Sequence, residues 1–186
     1  MHSTRLAWLG AAAGAAALAL GCGEGRAIFN VDVLSFLGGQ GNDTVHYTIP
    51  GGTSGTVDNP PVKVTVLKGL GNSTVDTATL TVAANVENLS GSGKVKFQIF
   101  LAPDAATLYS TTPYAEDSAL VSGLQTETLA PSPVLLPVVA YSIFEQQQQW
   151  YVGVRVVVNA NVGPATDGKL RLTTVRLRII LQENVF

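Results

Sequence analysis

The chain reads as an all-β protein, an antiparallel β-sandwich of immunoglobulin-like or fibronectin-type topology. Three observations carry that expectation. Several segments alternate apolar and polar residues over short runs, the pattern of strands with one buried face. These segments are rich in Val, Ile, Thr and Tyr, which suit a pleated, half-buried surface. Clusters of Gly, Pro, Asn and Ser separate them at short intervals, and no stretch after residue 28 carries a 3.6-residue apolar period.

Taken in order, strands are expected near 29–37, 44–49, 62–68, 74–87, 94–102, 106–111, 119–129, 134–145, 149–159 and 168–182. The turns between them fall at Gly38-Gly39, Gly51-Gly52, Asn59-Pro60-Pro61, Gly69 to Asn72, Ser90 to Gly93, Pro131-Ser132-Pro133 and Gly163-Pro164. Two segments alternate most clearly. Thr79 to Val86 places Leu80, Val82, Ala84 and Val86 on one face. Tyr151 to Val158 places Val152, Val154, Val156 and Val158 on one face and Arg155 on the other. One-sided alternation in long strands calls for two antiparallel sheets packed face to face. The Cys–Trp–Cys pattern of true immunoglobulin domains is absent, which leaves fibronectin-type and other sandwich orders open.

The last strand changes parity along its length. Leu170 and Leu172 fall on even positions, whereas Val175, Leu177 and Ile179 fall on odd ones. Side chains alternate strictly along a regular strand, so both sets reach one core only if a residue is inserted between them. A bulge, or a crossing between sheets, is therefore expected at Thr173-Thr174. It keeps Lys169, Arg171, Arg176 and Arg178 together on the outer face.

The N-terminus has a different character. Arg5 precedes an uncharged run from Leu6 to Leu20, too short for a bilayer-spanning helix and of the length of a signal-peptide core. Leu18-Ala19-Leu20-Gly21-Cys22 resembles the lipobox of bacterial lipoproteins, with small Gly21 before the Cys. The resemblance implies cleavage of residues 1–21, lipidation of Cys22, a short tether over 22–27 and a single domain over 28–186. It also implies export and a membrane partner held through acyl chains. Gly23, where an Asp resembles an inner-membrane retention signal, points to the outer membrane. Cys22 is the only Cys, so its place directly after the apolar run names its use.

Composition limits the chemistry. All 13 acidic residues and every basic residue except Arg5 lie beyond the leader, and the whole chain carries a net charge of −2. No basic face for nucleic acid is expected. His46 is the one His after the leader, so neither a zinc site built on His and Cys nor a His-based triad is well supplied. Glu116 and Asp117 are adjacent, and neighbours on an extended chain point apart. No Walker or dinucleotide-binding glycine motif is present.

The segment Gly38-Gly39-Gln40-Gly41-Asn42-Asp43-Thr44-Val45-His46 resembles one unit of the calcium-binding nonapeptide repeats of RTX proteins, with Asp43 as the ligand the resemblance implies. A partial echo, Gly69 to Asp76, has Ser73 where the first copy has Asp43. A glycine-rich connection between strands accounts for the same residues and is preferred, so no cofactor is expected and calcium at Asp43 is the lesser reading. Trp150 and Tyr151 after a Gln run, with Tyr109 and Tyr114 about Thr111-Thr112-Pro113, are the candidate binding aromatics. The sequence thus points to a non-enzymatic, membrane-anchored binding or structural domain with an envelope protein or glycan as partner. The alternative is a secreted hydrolase or accessory subunit with a carboxylate site, directed at glycans.

Overall fold

A computed structural model describes residues 26–65, 73–145 and 149–182. Cys22, Gly69 to Asn72 of the echo and Gln146 to Gln148 lie outside them. The described residues form two antiparallel sheets packed face to face, an all-β sandwich. The strands are β1 (Arg26–Asp32), β2 (Thr44–Ile49), β3 (Ser54–Asp58), β4 (Val62–Thr65), β5 (Thr74–Ser90), β6 (Ser92–Ala102), β7 (Ala115–Ser122), β8 (Gln125–Leu129), β9 (Val134–Leu135), β10 (Gln149–Ala160) and β11 (Thr166–Gln182).

The first sheet runs β1-β11-β5-β8, with β2 beside β1 on the same edge of β11 and β9 beside β8 on β5. The second runs β3-β10-β6-β7, with β4 beside β3 on β10. If β1 with β2, β3 with β4, and β8 with β9 are each counted as one interrupted strand, eight strands remain. Their order is then 1-8-3-6 in one sheet and 2-7-4-5 in the other. This is the order of a jelly roll; the antiparallel all-β sandwich expected from the sequence is present, with this connectivity in place of the immunoglobulin-like or fibronectin-type order. At one end, here the far tip, the chain passes between sheets four times: β2 to β3, β5 to β6, β7 to β8 and β10 to β11. Buried Asn88 ties two of these turns together, its amide donating to the carbonyls of Ser90, Gly91 and Gly123.

The alternation read from the sequence is what fills the core. Leu80, Val82, Ala84 and Val86 are buried from one sheet, and Val152, Val154, Val156 and Val158 from the other. The β11 ladder breaks where parity demands. Leu172 faces Ala84 and Thr174 faces Ala83, so Thr173 is the inserted residue. Leu170, Leu172, Val175, Leu177 and Ile179 are all buried, while Arg171, Arg176 and Arg178 are exposed and Lys169 is half-buried. The bulge also separates the half of β11 paired with β2 from the half paired with β1, and in the gap Leu172 N donates to Asp43 O at 2.8 Å. A further shift, between Ile180 and Leu181, brings Val75 inward from β5.

Several expected strands differ. Residues 33–37 belong to a short helix, Val33–Gly38, in which Val33 and Leu37 lie one turn apart and both point into the core. A short apolar run is ambiguous between helix and strand, and here the chain must leave the sheet between β1 and β2. Residues 106–111 hold a 3-10 turn, Leu108–Ser110, entered through Asp104, whose carboxylate accepts from the Ala106 and Thr107 amides. Residues 119–129 are two strands in different sheets, parted at Gly123 with φ of +62°. Only Val134–Leu135 of 134–145 is strand; the rest holds a 3-10 turn, Val138–Ala140, and the helix Ser142–Glu145. Strand β3 was missed because Ser54-Gly-Thr-Val-Asp58 has one large apolar residue.

Candidate functional site

The four candidate aromatics do not form one platform. Trp150 is fully buried, in edge contact with Phe144 at 5.7 Å between ring centroids, so it offers no exposed stacking face. The strand register explains this, because Trp150 pairs with Val64 on the inward side of β10 and its neighbour Tyr151 turns outward. Tyr114 is half-buried against the main core, and burial raises its phenol above the ordinary range. Tyr109 and Tyr151 pack instead on the outer face of the second sheet, around Phe100, Ala102 and Leu108.

That outer cluster is a closed polar and aromatic unit. The Arg155 guanidinium lies 5.0 Å from the centroids of both Phe100 and Tyr109 and grips Asp58 through two bonds, at 2.6 and 2.9 Å. Tyr109 donates its hydroxyl to the Asn59 carbonyl, and burial, then the nearby Asp58, pushes its pKa up to about 12. Gly153 makes this packing possible, since a Cβ there would stand 2.6 Å from both Leu108 and the Tyr109 hydroxyl. With its donors and charges matched internally, the cluster braces the 103–114 connection.

Asp43 faces a cation. Its carboxylate lies 3.7 Å from Arg171 Nε and accepts from the Thr44 hydroxyl at 3.5 Å. Among the described residues no group of three or more His, Cys, Asp or Glu side chains converges on a point. The glycine run ends the helix Val33–Gly38. Asn42 N donates back to Leu37 O, and Gly41 supplies the positive φ, +72°, that the reversal requires. His46 is exposed on β2 opposite Lys169. Glu116 accepts from Gln98 and Lys96, and these bonds hold its carboxyl below the usual range, the wrong direction for a general acid. Asp117 instead accepts from the Ser118 amide.

A concave apolar feature among the described residues lies elsewhere. Where β1 of the first sheet and β4 of the second part company, the helix Val33–Gly38 only partly closes the sandwich. A cleft of about 290 Å³ remains, with Phe29, Val31 and Ile179 on one wall and Phe36 on another. Phe144 and Trp150 form its floor. Phe29 points to the core side, opposite Ile179, yet is 40% exposed because nothing among the described residues covers it. Among the described residues Asp32 is the single ionisable one of the lining, and Asn30, Ser35 and Thr65 supply the neutral polar groups. The Trp150 indole nitrogen is buried without a hydrogen-bond partner. The sequence signal for this site was slight, because its residues come from β1, the following helix, β4, the helix Ser142–Glu145, β10 and β11.

No protein family and no curated protein matches the chain. Among solved structures it is similar to that of the infectious bursal disease virus Gx strain, at 9% identity and a TM-score of 0.36, over 87% of this chain and 33% of that one. The VP2 subviral particle of the same virus matches at 8% identity and a TM-score of 0.28, over 84% of this chain and 37% of that one. Its T=1 particles match at 12% and 0.28, over 75% and 36%. The chain thus spans about a third of the length of these structures. Likeness at this level carries no information on activity or partners.

Proposed function

We propose that the protein is an exported lipoprotein, anchored through Cys22, whose sandwich is a non-enzymatic binding module with the aromatic cleft as its ligand site. The observation that supports this reading best is the cleft itself: concave, lined by Phe29, Phe36, Phe144, Trp150 and Ile179, and open to solvent. Small-molecule sites are mostly apolar concavities with a few polar groups at the rim. The lining favours an acyl or aryl group over the glycan considered from sequence alone. Asp32 at the rim opposes an anionic head group, so the ligand is neutral or cationic.

Two measurements test the reading. For the anchor, Cys22→Ala is expected to move the protein from the membrane to the soluble exported fraction, and unchanged retention refutes anchoring. For the cleft, the processed chain retains a single tryptophan, Trp150, since Trp8 precedes Cys22. A medium-chain alcohol is expected to change Trp150 emission saturably, the carboxylate of equal chain length to act more weakly, and Phe36→Ala to weaken the response. Absence of a saturable change with the alcohol overturns the cleft as ligand site.

A further inference from the structure

The two ends of the sandwich differ in where they stand relative to Cys22. Arg26 begins β1, and its partners across the first sheet are Gln182 and then Thr74, so these three residues mark one end. Its guanidinium reaches Asp76 across β11 at 3.7 Å. Strands lie about 4.8 Å apart, which puts β5 roughly 10 Å from β1. Beyond β5, the chain leaving β9 runs back towards the same end. Leu136 N donates to Ala78 O, and Glu145 accepts from Val75 N. Between these contacts lie Val138 and Val139, 76% and 78% exposed, with Leu135 and Ile28 also exposed nearby on the outer face of the first sheet. Arg176 and Arg178 stand on that same face, at the level of Asp32 and Asn30 of β1.

We propose that this end of the domain lies on the bilayer surface, with Val138 and Val139 dipping into the boundary between head groups and acyl chains. The inference rests on the reading of Cys22 as the anchor. Four residue steps separate Cys22 from Arg26, a reach of at most about 14 Å. A lipidated Cys22 therefore holds the Arg26 end against the membrane and leaves little room for any other occupant between the valines and lipid. Arg26, whose side chain stays 67% exposed although it stands 3.7 Å from Asp76, is the cation at this end that suits anionic head groups. The far tip, with exposed Leu124 and Val162, then points away from the membrane. The mouth of the aromatic cleft, bounded by Phe29 of β1, opens near the lipid.

The test uses the processed protein in vesicles of phosphatidylethanolamine and phosphatidylglycerol. Val139→Cys and, separately, Leu124→Cys are labelled with an environment-sensitive fluorophore, Cys22 being blocked by its acyl groups. With lipids brominated on the acyl chain, the label at 139 is expected to be quenched several-fold more than the label at 124, and its emission to be blue-shifted. Equal quenching at the two sites, or stronger quenching at 124, overturns the orientation while leaving the anchor standing. Mass spectrometry of the N-terminal peptide separates the two claims, since an unmodified Cys22 removes the anchor and the orientation with it.

Discussion

Deleting Thr173 removes the bulge of β11 and is expected to leave the fold standing. The residue is solvent-exposed and is the one position of β11 between Asp167 and Gln182 with no partner on β5. Without it, Thr174 follows Leu172 as Ala83 follows Ala84, so the ladder closes with no change of register in either half. Leu170, Leu172, Val175, Leu177 and Ile179 then alternate without a break and stay in the core, and the seven β1–β11 pairs are kept. What is put at risk is the contact made in the gap at the bulge, where Leu172 N donates to Asp43 O at 2.8 Å. Losing it is expected to cost about 1–3 kcal/mol, the range for a buried polar group left without a partner. A domain is stable by about 5–15 kcal/mol, so the deletion variant is expected to fold with a lowered midpoint. Thr173→Ala, which keeps the bulge, is expected to change stability by no more than about 0.5 kcal/mol. Leu177→Ala is expected to cost about 2–5 kcal/mol and Arg178→Ala about 0.5 or less. Urea unfolding followed by Trp150 emission and far-ultraviolet circular dichroism reads all four. A deletion variant that does not fold refutes the reasoning.

Three further outcomes follow from the same contacts. Burial, assisted by Asp167, pushes the Tyr47 phenol from 10.0 up to about 12, so its folded form favours the protonated state. That contribution is complete below pH 10 and is lost as pH rises from 10 through 12. Because the Tyr47 hydroxyl has no partner, Tyr47→Phe is expected to be neutral within about 1 kcal/mol at pH 7 and to lose stability less steeply above pH 10. Parallel denaturation curves at pH 9 and 11.5 check this, and equal slopes count against it. Arg155→Ala, which empties the space between Phe100 and Tyr109 and unpairs Asp58, is expected to destabilise by about 1–2 kcal/mol, with the 103–114 connection becoming protease-sensitive. A chelator is expected to leave the melting temperature unchanged, since the Asp43 carboxylate faces Arg171; a drop of several degrees that Asp43→Ala abolishes would establish a calcium site.

The strands with one buried face were legible because alternation is itself the cause of their burial. Val152 to Val158 and Leu80 to Val86 needed no partner to be assigned, and the Thr173 insertion could be located from parity alone. The helix Val33–Gly38 was not legible, because Val-Leu-Ser-Phe-Leu fits either period and only the break between β1 and β2 selects the helix. Arg155 was read correctly as outward-facing, but its partners come from Asp58, Phe100 and Tyr109, which no local pattern connects. Trp150 beside a Gln run suggested an exposed ring, and the inward register against Val64 decides otherwise. The cleft was invisible for a related reason. It is a gap between two sheet edges, and strand order, not composition, determines which edges splay.

The position of β11 bears on how the chain acquires its structure. β11, the most C-terminal strand among the described residues, is central to its sheet, with β5 on one side and β1 and β2 on the other. Arg26 cannot find its neighbour until Gln182 has emerged, and β2 waits for the residues from Thr166 to Arg171. The other sheet can assemble once β10 is available, since its four strand positions are all filled by residue 160. Contacts between such distant parts of a chain make folding slow, on a scale of milliseconds to seconds for all-β domains of high contact order. Until then β5 has no partner along the edge that β11 will occupy, and its inward row of Leu80, Val82 and Val86 is uncovered on that side. For this chain the dangerous interval is that wait, and a holdase that shields β5 until β11 has docked is the kind of assistance its topology calls for.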